Sequence, residues 1–422
     1  MLSCIMQMIT AGMHDLREMC RETGLRKEHA MDKARGKSSE RRKKRNRVKI
    51  LALVTVLLIV GITAVCLYLW SKRQKEPYDS FESVWNGTLN RNAAIEYIPY
   101  SNGYMKVSRD GAEAVNSYGS LAWNISYDMN EPVAAVCREY AAVGDFGNRI
   151  VYMMDGTGSL YWKNVPYSIR EVETSAVGVT AVRMNDGMTD YIQLITLAGD
   201  VLVEVMTLEN RDGFPLDIAL SEDGTKLVTS YLVMNDGSTE GWLTFYNFGE
   251  VGQNYANNLV GVFKYDDVIP QIDFMDNDTL CAFRKDGVDL YSVPELPQLT
   301  AELSCEEPIL RAYTTEKYLA VMTDNTKNGT VARTVVYDKK AQVVFDRTVV
   351  EEFDDFLLSG DDIVFYNRSA CLVMNMGGQL KFNSPLEGKD IVKIMPTGEK
   401  DKLMVLEEEA VSTIRLIHTK EE

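Results

Sequence analysis

The chain has 422 residues, 45% hydrophobic and 25% charged, with a formal net charge of −16. The charge is unevenly spread: residues 1–49 hold 14 basic against 6 acidic side chains, residues 72–75 add three positive charges, and the rest is strongly acidic. An acidic region this long has ample chain for a large core, and it excludes nucleic-acid binding there, which needs Lys and Arg against phosphate.

In chain order, the first feature is a basic tail. Residues 1–30 read as an upstream extension, because a start at Met31 would leave a compact tail. Ten Lys or Arg follow between residues 30 and 49, most densely from Arg41 to Lys49. Lying directly against an apolar stretch, this run reads as a topology signal with affinity for anionic lipid headgroups rather than as a nucleic-acid patch. The stretch itself, Ile50 to Trp70, is 21 residues without a charge, matching the roughly 20 that cross a bilayer as a helix. Only Lys72, Arg73 and Lys75 stand on its far side, so the positive-inside rule places the N-terminus in the cytoplasm and the acidic part outside. The stretch is too long for a cleaved signal peptide, and no small-x-small site follows it. It is expected to remain as an anchor, with Cys66 a lipid-facing thiol.

From about residue 92 onward, runs of four to seven residues rich in Val, Ile, Tyr, Phe and Leu alternate with Asp-Gly, Asn-Gly and Gly-rich turns, an all-β signal. Examples are Arg149–Met154 before Asp155-Gly156, Lys226–Tyr231 after Asp223-Gly224, and Asp362–Tyr366 after Gly360. Aligned on a turn residue, the runs repeat: Asn116, Gly119 and Trp123 recur as Asp155, Gly158 and Trp162, as Asp338, Ala341 and Phe345, as Asn375, Gly378 and Phe382, and loosely as Thr196, Gly199 and Val203. Asn or Asp opens each turn through its side chain, Gly accepts a positive φ, and the ring after it is expected to pack on the neighbouring unit. Turn positions 119, 158 and 199 are 39 and 41 residues apart, and 341 and 378 are 37 apart, with drifted turns near Gly249 and Pro294. Units of about 40 residues with four strands are β-propeller blades. The count favours eight blades, with seven possible. The last unit, Lys389 to His418, stops one strand short, and Ser83-Val84-Trp85 is expected to supply that strand and close the ring. The expected partition is a cytoplasmic tail (1–49), a transmembrane helix (50–70), a stalk with the closing strand (71–91) and the propeller (92–422).

These Gly-x-x-x-Trp frames, with the element Ser221-Glu222-Asp223-Gly224-Thr225-Lys226-Leu227, resemble PQQ-like and WD40-like propeller repeats. The whole plan resembles a family of single-pass, membrane-anchored β-propeller proteins of Gram-positive bacteria whose function is uncharacterised. That resemblance implies a fold and a location. Quinone-dependent dehydrogenases share such repeats, but their vicinal disulfide has no counterpart among Cys137, Cys281, Cys305 and Cys371, and three of the four exterior Trp residues occupy or extend the repeat frame.

Chemistry is sparse. His14 and His29 precede the apolar stretch and His418 is four residues from the end, so histidine-based triads and zinc sites have no base or ligand in the ring. Cys137, Cys281 and Cys371 lie in apolar runs, where a cysteine is a small hydrophobe. Asp273, Asp276, Asn277 and Asp278 offer oxygens to calcium but lack the EF-hand Gly and Glu, and a plain turn is the preferred reading. The pairs Glu351-Glu352, Asp354-Asp355 and Asp361-Asp362 read as solvated turns, as do the sequons at Asn86, Asn124, Asn277, Asn328 and Asn367. No residue is assigned a catalytic, cofactor-binding or metal-ligating role. The leading expectation is a membrane-tethered, non-catalytic binding or scaffolding module for a protein or polymer of the cell envelope. A signalling protein acting through its cytoplasmic tail and a carbohydrate-active hydrolase are the alternatives.

Overall fold

Alternating apolar side chains, broken every five to ten residues by turns, build eight four-stranded antiparallel sheets in this computed structural model. The structure describes residues 61–63, 76–89, 94–208, 212–235, 237–324, 332–349 and 353–419. The chain divides into two units, Met1–Glu76 and Pro77–Glu422. The basic run, and Ile50–Trp70 apart from the helical, exposed Gly61, Ile62 and Thr63, lie outside the described residues. Among the described residues no helix is long and apolar enough to cross a membrane.

Blades 1 to 7 occupy residues 94–126, 132–164, 168–208, 214–265, 271–304, 309–349 and 355–385. Within a blade the four strands follow one another from the axis outward. First strands meet those of adjacent blades, while fourth strands such as Leu160–Asn164 are largely exposed. Second and third strands are the most buried, as in Lys402–Leu406. The core is a series of apolar layers between sheets; Ala142, Val151 and Met153 of blade 2, for example, face Ile169, Val182 and Met184 of blade 3. Each fully buried side chain of this size contributes about 1.5–3 kcal/mol.

The structure settles the count at eight and closes the ring as expected. Blade 8 takes Lys393–Pro396, Lys402–Leu406 and Ala410–Ile417 as its first three strands and Ser80–Thr88 as its fourth. Ser80 pairs with Ile417 and Thr88 with Ala410, with a bulge between Ser83 and Trp85. The two ends are joined again below this strand, where the Thr419 N–H donates to Asp79 Oδ1 (2.6 Å).

The repeat frame has a physical basis at every tight turn. The Asn116, Asp155, Asp338 and Asn375 side-chain oxygens accept the N–H of the residue four ahead, at 2.9–3.0 Å, and Thr196 Oγ1 does the same for Asp200 (3.1 Å). Gly119 and Gly158 hold φ of 76° and 81°. A Cβ on Gly119 would lie 2.0 Å from the Trp85 indole, and one on Gly158 2.6 Å from Trp123 Cβ. Trp85 thus plays for blade 8 the part Trp123 plays for blade 1: a ring on the outermost strand covers the next blade's turn. Trp162 departs from this, being 59% exposed; the adjacent Lys163 instead donates to the Gly199 carbonyl.

Three smaller expectations need correction. Asn86 and Asn124 are exposed positions on fourth strands, not turns, because their side chains point outward in the strand alternation; Asn277 and Asn367 are in turns, and Asn328 lies outside the described residues. Asp362 is half-buried at the start of a second strand and bonded to Lys381 Nζ (2.6 Å) rather than solvated. Asp355 likewise opens a first strand, and Glu351-Glu352 lies outside the described residues.

Candidate binding channel and faces

First strands line the axis, and those of blades 3 to 5 bring carboxylates to it. Glu171 and Glu173 lie two apart on Ser168–Thr174, on the side opposite the buried Val172. Asp217 belongs to Phe214–Leu220 and Asp273 to Gln271–Phe274. Asp217 Oδ2 accepts the Ile272 N–H at 2.7 Å, Asp273 accepts the Thr314 hydroxyl, and Glu171 Oε2 accepts Arg183 Nε–H at 2.7 Å. Glu171 lies beside Asp217 and favours its protonated form. Burial first, then the hydrogen bond and charge of Glu171, push the Asp217 carboxyl up to about 8. Burial, followed by the charges of Glu171, Asp273 and Asp217, holds Glu173 well above the usual carboxylate range, and burial raises Asp273 to about 6. Like charges gathered this closely resist ionising together.

At one mouth of the channel stands Arg138, at φ 55° in the turn between the first two strands of blade 2. Its Nη2 donates to Glu222 of blade 4 (3.0 Å) and Glu316 of blade 6 (2.8 Å), so a single guanidinium ties turns from three blades together. Other turns on this face are tied likewise. Lys317 pairs with Asp361 (3.1 Å), and Lys381 with both Asp362 and Asp401 (2.6 and 3.2 Å). Tyr118 of blade 1 donates to Glu399 of blade 8 (3.2 Å).

The loop considered for calcium belongs to this lattice. Lys226 Nζ donates to Asp278 Oδ1 and to the Asn277 carbonyl, both at 2.6 Å. Asn277 Oδ1 accepts the Asp223 N–H (2.8 Å), and Asp276 pairs with Lys339. Its oxygens are thus directed at two lysines and a backbone amide, which makes it a structural turn. Among the described residues no three His, Cys, Asp or Glu side chains gather as a metal site. Cys137, Cys281, Cys305 and Cys371 are free thiols, and burial raises Cys371 to about 12, far from a reactive thiolate. His418 stacks on Tyr78 at 4.7 Å, outside the channel.

The opposite face is built from the turns between second and third strands and from the connections between blades. Ion pairs occupy its Asp286, Asp390 and Glu407. Asp128, Asp266, Asp267, Glu306, Glu387 and Glu409 are all exposed there. Ser80 lies opposite Ile417, so the closing strand starts at the Arg138 face. Sequence reasoning missed Arg138 and the channel carboxylates. The available signal was charged residues inside otherwise apolar strand runs, as in Val172-Glu173 and Asp217-Ile218.

Comparison with known proteins agrees with this architecture. BamB from Moraxella catarrhalis superposes with a TM-score of 0.50 at 12% identity, covering 82% of this chain and all of the other. A eukaryotic initiation factor gives 0.54 at 11% identity, covering 82% and 89%. Chaetomium thermophilum Sqt1, bound to the N-terminus of ribosomal protein L10, gives 0.50 at 10%, covering 81% and 100%. At such identities the likeness is one of fold. No curated protein matches the sequence. A family model, however, matches residues 73–416, nearly the whole ring, and the chain therefore belongs to the family of unknown function DUF5711.

Proposed function

We propose that this protein is a membrane-tethered, extracytoplasmic propeller that binds a basic or neutral component of the cell envelope, protein or polymer, on its acidic face, and performs no catalysis. The observation that carries this reading is the group of exposed carboxylates on the face away from Arg138, which stand beside the exposed cations Arg109, Arg149 and Lys285. On the Arg138 face Glu222, Glu316, Asp361 and Asp401 are engaged by lysines and arginines in a lattice linking blades, which suits a rigid platform, while Glu139, Asp200, Glu250 and Glu295 stay exposed. On the other, six exposed carboxylates remain available to a partner. Complementary charge of this kind sets encounter rate and partner choice. The tether rests on Ile50–Trp70 and its basic flank, which also supply contacts with the bilayer and its anionic headgroups. Sqt1 bound to a ribosomal protein N-terminus is one case of this fold holding a polypeptide.

Hydrolysis fits the channel poorly. Glycosidase chemistry needs two carboxylates free to flank a sugar bond about 5–9.5 Å apart, whereas Glu171, Asp217 and Asp273 are engaged by Arg183, the Ile272 N–H and Thr314. To test the reading, the full chain is purified from membranes with its bound components, beside a variant carrying Asp266→Asn, Asp267→Asn, Glu306→Gln and Glu409→Gln. Loss of the co-purifying envelope component from the variant is expected. An unchanged set of partners contradicts binding on this face.

A further inference from the structure

The ring is not uniform. At several junctions the outer strand meets the next blade's turn: Trp85 over Gly119, Trp123 over Gly158 and Arg347 over Gly378, while between blades 4 and 5 the turn residue Pro297 reaches back to Gly261 of the outer strand. Between blades 3 and 4 both halves of this device are missing. Blade 3 has Val203 at the frame position where other blades carry a ring, and blade 4 replaces the tight turn with the connection 248–258, which holds two 3-10 turns. The result is a cleft of about 620 Å³. Its floor is the hydrogen bond between the buried Thr207 and Tyr231 hydroxyls (2.9 Å).

One wall is unusual. Residues 203–207 of the outer strand Val201–Leu208 line the cleft consecutively, so the strand turns its backbone edge, and not merely one side-chain face, toward the space. Among the described residues that edge has no partner strand. It is also apolar, with Val201, Leu202 and Met206 43%, 54% and 54% exposed and Glu204 its one charged residue. Free edges ordinarily carry Lys, Pro or a bulge to discourage pairing. Opposite stand Trp242, Thr244 and Tyr246 from one face of Ser238–Asn247, with Leu259 and Val262 beyond them. Lys264, the cross-strand partner of Trp242, covers the indole ring at 3.8 Å. Among the described residues the charged groups lining the cleft are Glu204 and Asp212, both carboxylates.

We infer that this cleft is a docking groove for an extended segment of a partner protein, one in which apolar residues alternate with lysine or arginine, joined by strand addition to Val201–Leu208. The edge supplies backbone hydrogen bonds, the cavity takes alternate apolar side chains, and the carboxylates meet the basic ones between them, a division of labour typical of strand addition. A second copy of this chain is the poorer occupant, since it would set Glu204 against another acidic surface. The groove is separate from the acidic face, and either site can fail without the other.

The test uses the full chain in phosphatidylcholine nanodiscs and a fluorescein-labelled octapeptide alternating lysine with leucine, with binding read by anisotropy against empty discs. Saturable binding is expected. It should fall at least tenfold when glutamate replaces the peptide's lysines, or when alternate peptide nitrogens are methylated to remove strand pairing. Val203→Trp, which restores the missing ring, should weaken binding at least tenfold without lowering the thermal midpoint. Glu204→Lys, a surface change, should do the same to binding if Val203→Trp disturbs folding. The four-site neutralised face variant should bind the peptide normally. The inference is overturned if the wild-type chain does not bind the peptide, if the acidic or methylated peptide binds equally well, or if Val203→Trp abolishes a dimer seen by sedimentation while leaving peptide binding intact.

Discussion

At the scale of single residues, the channel carboxylates are the clearest sign of a structure that gives up stability. Asp217, Glu173 and Asp273 all hold their protons more tightly in the ring than in an unfolded chain. The stability they contribute is complete below about pH 4 and is lost as pH rises through their folded values, which for Asp217 extends the loss to about pH 8. Asp217→Asn keeps an oxygen for the Ile272 N–H and removes the charge. It should raise the thermal midpoint at pH 7.5 by several degrees, on the basis of roughly 2–4 °C per kcal/mol in a large domain, and by less at pH 5; calorimetry at both pH values checks this. Trp85→Ala acts in the opposite sense. It uncovers Gly119 and removes a half-buried ring, with an expected cost of about 3 kcal/mol, the low end for aromatic truncations, measurable by denaturant titration. Gly119→Val should cost at least as much, because a β-branched residue at φ 76° is strained and its Cβ meets the indole.

At the scale of elements, the ring closure is the decisive feature, and it was legible from the sequence. The last unit ran out of strands at Leu416, while an isolated Trp85 stood ahead of the first blade in the frame the repeats define. Deleting Ser80–Thr88 should expose the edge of Ala410–Ile417. Because open edges pair with other chains, the truncated protein should self-associate in sedimentation runs in which the intact chain is monodisperse. Strand positions and turns were readable because Asx turns and positive-φ glycines are local chemistry, fixed by residues three or four apart. The blade 3–4 cleft was not readable, since it arises where the frame lapses at Val203 and Gly249, and a lapse in a repeat does not say whether the gap is filled or open. Arg138 was unreadable for another reason: its partners are 84 and 178 residues away, and only the circular arrangement brings them together. The Asp273–Asp278 loop looked oxygen-rich in one dimension; Lys226 and Lys339 use those oxygens in three.

At the scale of the whole molecule, the anchor proposed at Ile50–Trp70 precedes a closed eight-bladed ring whose closing strand starts at the Arg138 face. In the proposed topology the charge asymmetry of the sequence, basic before the apolar stretch and acidic after it, would give each part a different solvent neighbour: anionic headgroups for the tail, and the exterior for the ring. The binding proposals depend on that topology, since an envelope component reaches the ring only if the ring lies outside. The most direct test is proteinase K treatment of intact, wall-stripped cells expressing the full chain with an epitope at each end, followed by blotting. The account predicts that the C-terminal epitope is lost while the N-terminal one survives until the membrane is permeabilised. A C-terminal epitope protected in intact cells and lost only on permeabilisation would contradict it.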